Sequence, residues 1–195
     1  MLIWNTYYPV KTLGPGKRFG IWTSGCKRRC KGCMSEDSRS FDVSRNRTIN
    51  SIIGEIKNII KKDNIDGVTI SGGEPFEQSD LEELIDNIKK MGIDDILVYT
   101  GNLIENLSDY SSIISKISVL IDGEYKEELN DNMPLRGSAN QRIFILNDDV
   151  KAKYLEYLKN PRSFDLYVNN SKVMIIGILP KDGHKYLGDI LKKIT

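Results

Sequence analysis

Arg18-Phe19-Gly20-Ile21-Trp22-Thr23-Ser24-Gly25-Cys26-Lys27-Arg28-Arg29-Cys30-Lys31-Gly32-Cys33 is the stretch from which the rest of the chain is read. Arg18 to Thr23 is apolar, aromatic and β-branched enough to read as the first main strand. It delivers, at its carboxyl end, a loop that carries every cysteine in the molecule. In parallel α/β folds, ligands gather beyond the C-terminal ends of the strands, where the connecting loops converge. The cysteine loop is therefore where a site is expected.

Three thiolates so close in sequence, with no fourth cysteine elsewhere, can cap three corners of a cubane iron-sulfur cluster and leave its fourth iron without a protein thiolate. An open metal position implies chemistry rather than stapling, by the argument that separates catalytic from structural zinc. Disulfides are disfavoured because the cysteine count is odd and no apolar signal segment opens the sequence, so the expected compartment is cytoplasmic. A structural Cys3His zinc site would have to recruit the single histidine, His184, from the far end of the chain. A non-catalytic metal-binding module is the bland alternative.

Composition narrows the remaining classes. A chain of 195 residues buries about 70% of its unfolded surface and needs no staple to hold one core. Lys+Arg 28 against Asp+Glu 27 leaves a formal net charge of +1, which gives no global pull toward nucleic acid or anionic lipid. No apolar run is long enough to span a bilayer. There is no internal repeat or low-complexity linker, so a single domain over 1–195 is expected.

Outward from the cysteines, Leu2 to Val10 reads as an edge strand or hairpin arm, closed by the turn-forming Thr12-Leu13-Gly14-Pro15-Gly16. Ile49, Ile52, Ile53, Ile56, Ile59 and Ile60 repeat with helical spacing, which predicts a helix from about Thr48 to Lys62. Asp66 to Ile70 predicts a short strand followed at once by Ser71-Gly72-Gly73-Glu74-Pro75. Ser79-Asp80-Leu81-Glu82 has a capping-box pattern, with Leu81, Leu84, Ile85, Ile88 and Met91 as the buried face and Gly92 as the stop. Further strands are expected at Ile96–Tyr99, Ile117–Ile121 and Arg142–Leu146, a weak helix before the second of these, and a helix marked by Val150, Tyr154, Leu155 and Leu158. Phe164–Val168 and Val173–Leu179 predict an antiparallel hairpin around Asn169-Asn170-Ser171, and His184–Ile194 a last helix. Alternating strands and helices imply an α/β class with a mainly parallel sheet. Too few units are present for a closed eight-stranded barrel, so a partial barrel of about six is expected.

Gly72 and Gly73, at the end of the second parallel strand, present no side chains to hold off a ligand, and Glu74 offers a carboxylate to an ammonium. Alone, such a turn is an ordinary strand-to-helix connection. Beside a three-cysteine loop one strand earlier, it pairs an open iron with an ammonium-binding turn.

The CxxxCxxC loop after the first main strand and the Gly-Gly-Glu turn after the second resemble the radical S-adenosylmethionine superfamily. A closer resemblance is to the small activating proteins of anaerobic ribonucleotide reductase, a branch of the glycyl radical enzyme activases. It rests on Gly14-Pro15-Gly16-Lys17-Arg18-Phe19, Gly25-Cys26, Lys31-Gly32-Cys33, Ser71 to Pro75, and Arg136-Gly137-Ser138-Ala139-Asn140-Gln141-Arg142. The fold it implies is a partial, about six-unit βα barrel of the radical SAM type. Cys26, Cys30 and Cys33 would ligate a 4Fe-4S cluster whose fourth iron is chelated by the amino and carboxylate groups of S-adenosylmethionine. Reductive cleavage then gives a 5′-deoxyadenosyl radical that abstracts a hydrogen atom, the chemistry of an oxidoreductase. Such abstraction needs no general base, in keeping with the scarcity of histidine.

The resemblance also assigns roles further out. Gly32, one residue before the last cysteine, marks the activating branch, and with Met34 its backbone would meet the adenine edge. Asp122 would hydrogen-bond the cofactor, or else is the turn residue before Gly123. Residues 122–141 form a long aperiodic connection in which Asn140 and Gln141 line the site, meet a partner, or tie the loop to the barrel. Gly177-Ile178-Leu179-Pro180 closes the adenine side by analogy, or simply ends a strand. Lys27, Arg28 and Arg29 either offset the charge of an anionic cluster or form a solvated basic loop that docks an acidic electron donor or nothing at all. The continuation Met34-Ser35-Glu36-Asp37-Ser38 departs from the aromatic or His-Asn type common in the reductase activases, which bears on the partner rather than the chemistry. The implied partners are a glycyl radical enzyme and a low-potential donor such as flavodoxin or ferredoxin. A radical enzyme that itself modifies a peptide or small metabolite is the alternative.

Overall fold

A computed structural model describes residues 1–169, 172–181 and 183. Strands β1 (Ile3–Val10), β2 (Arg18–Thr23), β3 (Gly67–Gly72), β4 (Ile96–Tyr99), β5 (Val119–Asp122) and β6 (Arg142–Ile145) form one six-stranded sheet in sequence order. The four central strands, β2 to β5, are parallel, and the edges β1 and β6 run antiparallel to their neighbours. Helices α1 (Ile49–Ile60), α2 (Leu81–Lys89) and the short α3 (Ser111–Ile114) occupy the connections between the parallel strands, and α4 (Asp148–Tyr157) follows β6. Strands β7 (Phe164–Asn169) and β8 (Lys172–Gly177) form the expected antiparallel hairpin. The helix expected at His184–Ile194 lies outside the described residues, as does His184 itself.

Alternation along the central strands divides the core. Ile96, Val98 and Leu120 join Ile52, Ile56, Leu84, Ile85 and Ile88 of α1 and α2, whereas Leu97, Val119 and Ile121 join Val150 and Tyr154 of α4. Helices thus cover both faces of the sheet. Leu155, one of the apolar residues that mark α4 in the sequence, is 51% exposed. Val150 and Tyr154, four residues apart, already define the inward stripe, and the next residue is rotated out of it. Nor does the capping box form at α2. Asp80 is the N-cap, but its carboxylate accepts from the Met1 amino group at 2.8 Å and from the Ser79 hydroxyl at 2.7 Å instead of the helix N–H groups.

At the N-terminal ends of the parallel strands lies a buried charge network. Arg18 is fully buried and donates to the Thr69 hydroxyl at 2.6 Å, the Val68 carbonyl at 2.7 Å and the Asp95 carboxylate at 2.9 Å. Tyr154 and Lys153 of α4 bind the same carboxylate at 2.8 and 2.6 Å. Burial alone would raise the Asp95 carboxyl, but Arg18 overrides it and holds the group below its ordinary range. The guanidinium has room because its strand partner is Gly67, where a Cβ would stand 2.5 Å from Arg18 Nη1.

The arginine cannot shed its proton, so removing its partner leaves a buried cation uncompensated. Asp95→Ala is expected to cost about 3–5 kcal/mol of stability, read from the urea-unfolding midpoint. A loss under about 1 kcal/mol would show that the network is dispensable.

Candidate cofactor site

The site is built by loops at the opposite ends of the parallel strands. β2 leads through Ser24 and Gly25 into the cysteine loop, and the chain returns so that Gly25 N–H donates to Ser38 O at 2.7 Å and Cys26 N–H to Arg39 O at 3.0 Å. From β3, Gly73 N–H donates to Thr23 O and Glu74 N–H to Gly25 O, both at 2.8 Å. The two loops therefore meet backbone to backbone. A Cβ at Gly73 would stand 2.3 Å from Gly25 O, and Gly72, at φ +100°, has backbone atoms of Thr23 within 2.5 Å of where its Cβ would be. These glycines serve the approach of one loop to the other, not only that of a ligand.

Cys26, Cys30 and Cys33 line one pocket with Met34, Gly72, Gly73, Glu74 and Gln141, all singled out in the sequence. Leu13, Trp22, Tyr99, Tyr125 and Ile178 give it apolar and aromatic walls. Gly177 and Ile178, at the end of β8, also line it. Gly32, Asp122 and Asn140 are not part of the lining. Gly32 faces Glu127, whose carboxylate oxygen would lie 2.7 Å from a Cβ there.

Asp122 reaches the expected strand end, but its carboxylate is occupied. Antiparallel pairing sets Arg142 opposite it, and Arg142 Nε donates to it at 3.0 Å while Ile104 N–H donates at 2.8 Å. The amides of the long loop also look inward to the protein. Gln141 Oε1 accepts from Gly137 N–H at 2.8 Å and its Nε2 donates to Gly123 O at 2.9 Å, while Asn140 Nδ2 donates to Glu124 O at 2.8 Å. The tying role named for these two side chains is the one their contacts display.

Glu74 is only 2% exposed and fully engaged. One oxygen accepts from Phe76 N–H at 3.2 Å and the Thr100 hydroxyl at 2.8 Å, the other from Gly101 N–H at 2.9 Å and Arg28 Nη1 at 3.1 Å. Burial pushes its carboxyl up, and these donors pull in the other direction. Thr100, Gly101 and the inward turn of Arg28 escaped the sequence reading. Thr100-Gly101 directly follows a parallel strand, and the rule that sites lie beyond such ends applied there as it did to Gly72-Gly73. Arg39 and Tyr125 carry no such signal.

The cysteines are free thiols, each partly exposed. Burial raises Cys26, and it raises Cys30 to about 11 with help from Glu124, whose carboxylate accepts from the thiol at 3.4 Å. Among the described residues, no three His, Cys, Asp or Glu side chains are gathered tightly enough to hold a single metal ion. A lone tetrahedral ion needs its ligand sulfurs within about 4 Å of one another. Three unpaired thiols around one pocket are a donor set that fits a 4Fe-4S cluster.

An α/β chain that presents three thiols beyond its parallel strands matches the family model of the 4Fe-4S single cluster domain over residues 12–144, and the chain belongs to that family. It is similar to the anaerobic ribonucleoside-triphosphate reductase-activating protein of Haemophilus influenzae, at 34% identity over 70% of this chain and 94% of the relative. The protein of the same name from Vibrio cholerae is 30% identical over 72% of this chain and 96% of its own length. The one from phage T4 is 28% identical over 75% and 96%. The resemblance read from the motifs is thus shown, and an iron-sulfur cluster is the cofactor this family implies.

Gly73→Ala forces its methyl into Gly25 O and is expected to destabilise the metal-free protein by at least about 2 kcal/mol and to lower iron uptake on reconstitution. Gly54→Ala on α1 meets nothing within 4 Å and should be neutral or stabilising. Thermal unfolding and iron content measure both, and equal behaviour of the two variants would refute the packing argument.

Proposed function

We propose that this chain is a radical S-adenosylmethionine enzyme that installs a glycyl radical on a partner such as anaerobic ribonucleotide reductase. The observation that carries the reading is the meeting of the three-thiol loop with the Gly72-Gly73-Glu74 turn in one pocket beyond parallel strands. A 4Fe-4S cluster held by Cys26, Cys30 and Cys33 would, when bound and reduced, supply one-electron cleavage of the sulfonium C5′–S bond, the chemistry needed to take a hydrogen atom from a glycine Cα. The reading implies a single domain over 1–195 with the partial barrel of that superfamily.

The residues of the chain have distinct parts in this. Cys26, Cys30 and Cys33 would hold three irons. Gly72 and Gly73 would give the pocket the polar backbone edge for the ammonium of the ligand, while the Glu74 carboxylate, whose acceptor positions are taken by Phe76, Thr100, Gly101 and Arg28, braces that turn rather than binding the ammonium itself. Leu13, Trp22, Met34, Tyr99, Tyr125 and Ile178 surround the remainder with apolar surface, which excludes water from a reactive carbon radical. Gln141 fixes the loop after β5 against the pocket, and Asp122 acts at one remove by anchoring Arg142. The electron comes from a low-potential donor such as flavodoxin or ferredoxin. Free thiols suit a reducing, cytoplasmic setting. No helix among the described residues is long and apolar enough to cross a membrane.

The test is anaerobic reconstitution, reduction with dithionite and incubation with S-adenosylmethionine. Release of 5′-deoxyadenosine is expected, and replacing Cys26, Cys30 or Cys33 with Ala should abolish it. With anaerobic ribonucleotide reductase added, a glycyl EPR doublet should develop. Tightly held zinc with no deoxyadenosine would end the proposal. Deoxyadenosine without a doublet would shift it toward direct modification of a peptide or metabolite.

A further inference from the structure

Of the four cationic side chains inside the cysteine loop, three point away from the pocket or into solvent. Lys27 and Lys31 are 76% and 89% exposed, with carboxylate partners Glu77 and Glu127 at the surface, and Arg29 folds back on the carbonyls of Cys26 and Arg28. Arg28 alone turns inward and lines the pocket. Its guanidinium bridges two other strand ends, donating from Nη1 to Glu74 Oε2 at 3.1 Å and from Nη2 to Asn102 Oδ1 at 2.7 Å. The side chain lies flat on Gly101, where a Cβ would be 2.7 Å from Arg28 Cδ and 2.8 Å from Nε. Asn102 is held in turn by the Thr100 hydroxyl, which is also a donor to Glu74.

Cys26 and Cys30 flank Arg28 in sequence, so whatever fixes this side chain fixes the span between two of the thiols. The two ends of this span are held by Cys26 N–H to Arg39 O at 3.0 Å and Arg39 Nη2 to Cys30 O at 2.8 Å, but the other cationic side chains of the loop spend their contacts at the surface, where ion pairs constrain weakly. The bond to Glu74 is different in kind: the carboxylate is buried, and charge-assisted bonds to buried partners are the strong ones. We propose that Arg28 is a positioning residue that locks the cysteine loop onto the ends of β3 and β4, and so sets the open corner of the cluster relative to the Gly72-Gly73-Glu74 turn. This rests on the reading that a cluster and S-adenosylmethionine share the pocket.

The experiment uses the full chain, reconstituted anaerobically and reduced, with the cluster EPR spectrum followed as S-adenosylmethionine is titrated in. Arg28→Met is expected to raise the concentration giving half of the spectral change roughly tenfold, and Arg28→Lys should recover part of that loss. Gly101→Ala leaves Arg28 in place but takes its seat, and should shift the titration in the same direction. Lys31→Met, which removes a loop charge without an inward contact, should stay within about twofold of the parent. Iron content measured on each sample separates positioning from failure to assemble. If Arg28→Met takes up no cluster, Gly101→Ala decides alone. Titrations of Arg28→Met and Gly101→Ala that follow Lys31→Met would overturn the assignment. A parent protein whose spectrum ignores S-adenosylmethionine would instead overturn the proposed function and this inference with it.

Discussion

The close crossing of two backbones, Gly73 over Gly25, is the constraint on which the site depends. Neither loop is a regular element, and each would be free to wander beyond its strand if left alone. The bonds from Gly73 N–H to Thr23 O and from Glu74 N–H to Gly25 O continue the hydrogen bonding of β2 and β3 past the last strand residues. Two more, from Gly25 and Cys26 to Ser38 and Arg39, fasten the return of the cysteine loop to its start. The pocket is thereby an extension of the sheet rather than an attachment to it, which gives loops the rigidity that a site built on them usually lacks.

The two ends of the parallel strands use buried charge for different purposes. At the N-terminal end, Arg18 and Asp95 satisfy each other together with Thr69, Tyr154 and Lys153, none of which lines the pocket of the cysteines. At the C-terminal end, Glu74 is almost as buried, yet its cation comes from an irregular loop, the cysteine loop, and the pair stands at the pocket wall. A buried pair is costly to assemble and costlier to break, so it persists where it specifies an arrangement. One such pair specifies how strands and α4 stack; the other specifies how loops meet.

Much of this was legible in the residues, for identifiable reasons. Strands β2, β4 and the hairpin were readable because apolar runs of strand length are bounded there by turn residues, and α1 because its isoleucines keep helical spacing. The three thiols and the Gly-Gly-Glu turn were readable because their chemistry is carried by residue type and spacing. What the sequence hid depends on tertiary pairing. Nothing in the string says that Arg142 will lie opposite Asp122 and occupy it, that Asp80 will bind the amino terminus rather than its own helix, or that Arg28 will turn inward while Lys27 and Lys31 do not. Partners far apart in sequence decide those, and side-chain charge alone does not reveal its direction.

The thiols illustrate how the same burial serves two states. Desolvation disfavours the thiolate, so Cys26 and Cys30 are held above the ordinary thiol range, the latter to about 11 beside Glu124. In the metal-free protein this burial favours the thiol over the thiolate, which is the nucleophilic and metal-binding form. A metal ligand must be deprotonated, so uptake of iron has to displace protons that the pocket retains, and affinity for metal falls as pH falls. Arg28 partly offsets this at Cys26, where its backbone N–H, and to a lesser degree its positive charge, favours the thiolate. The residue that fixes the loop in space thus also eases ionisation of one of its thiols, through its backbone N–H first and its guanidinium second.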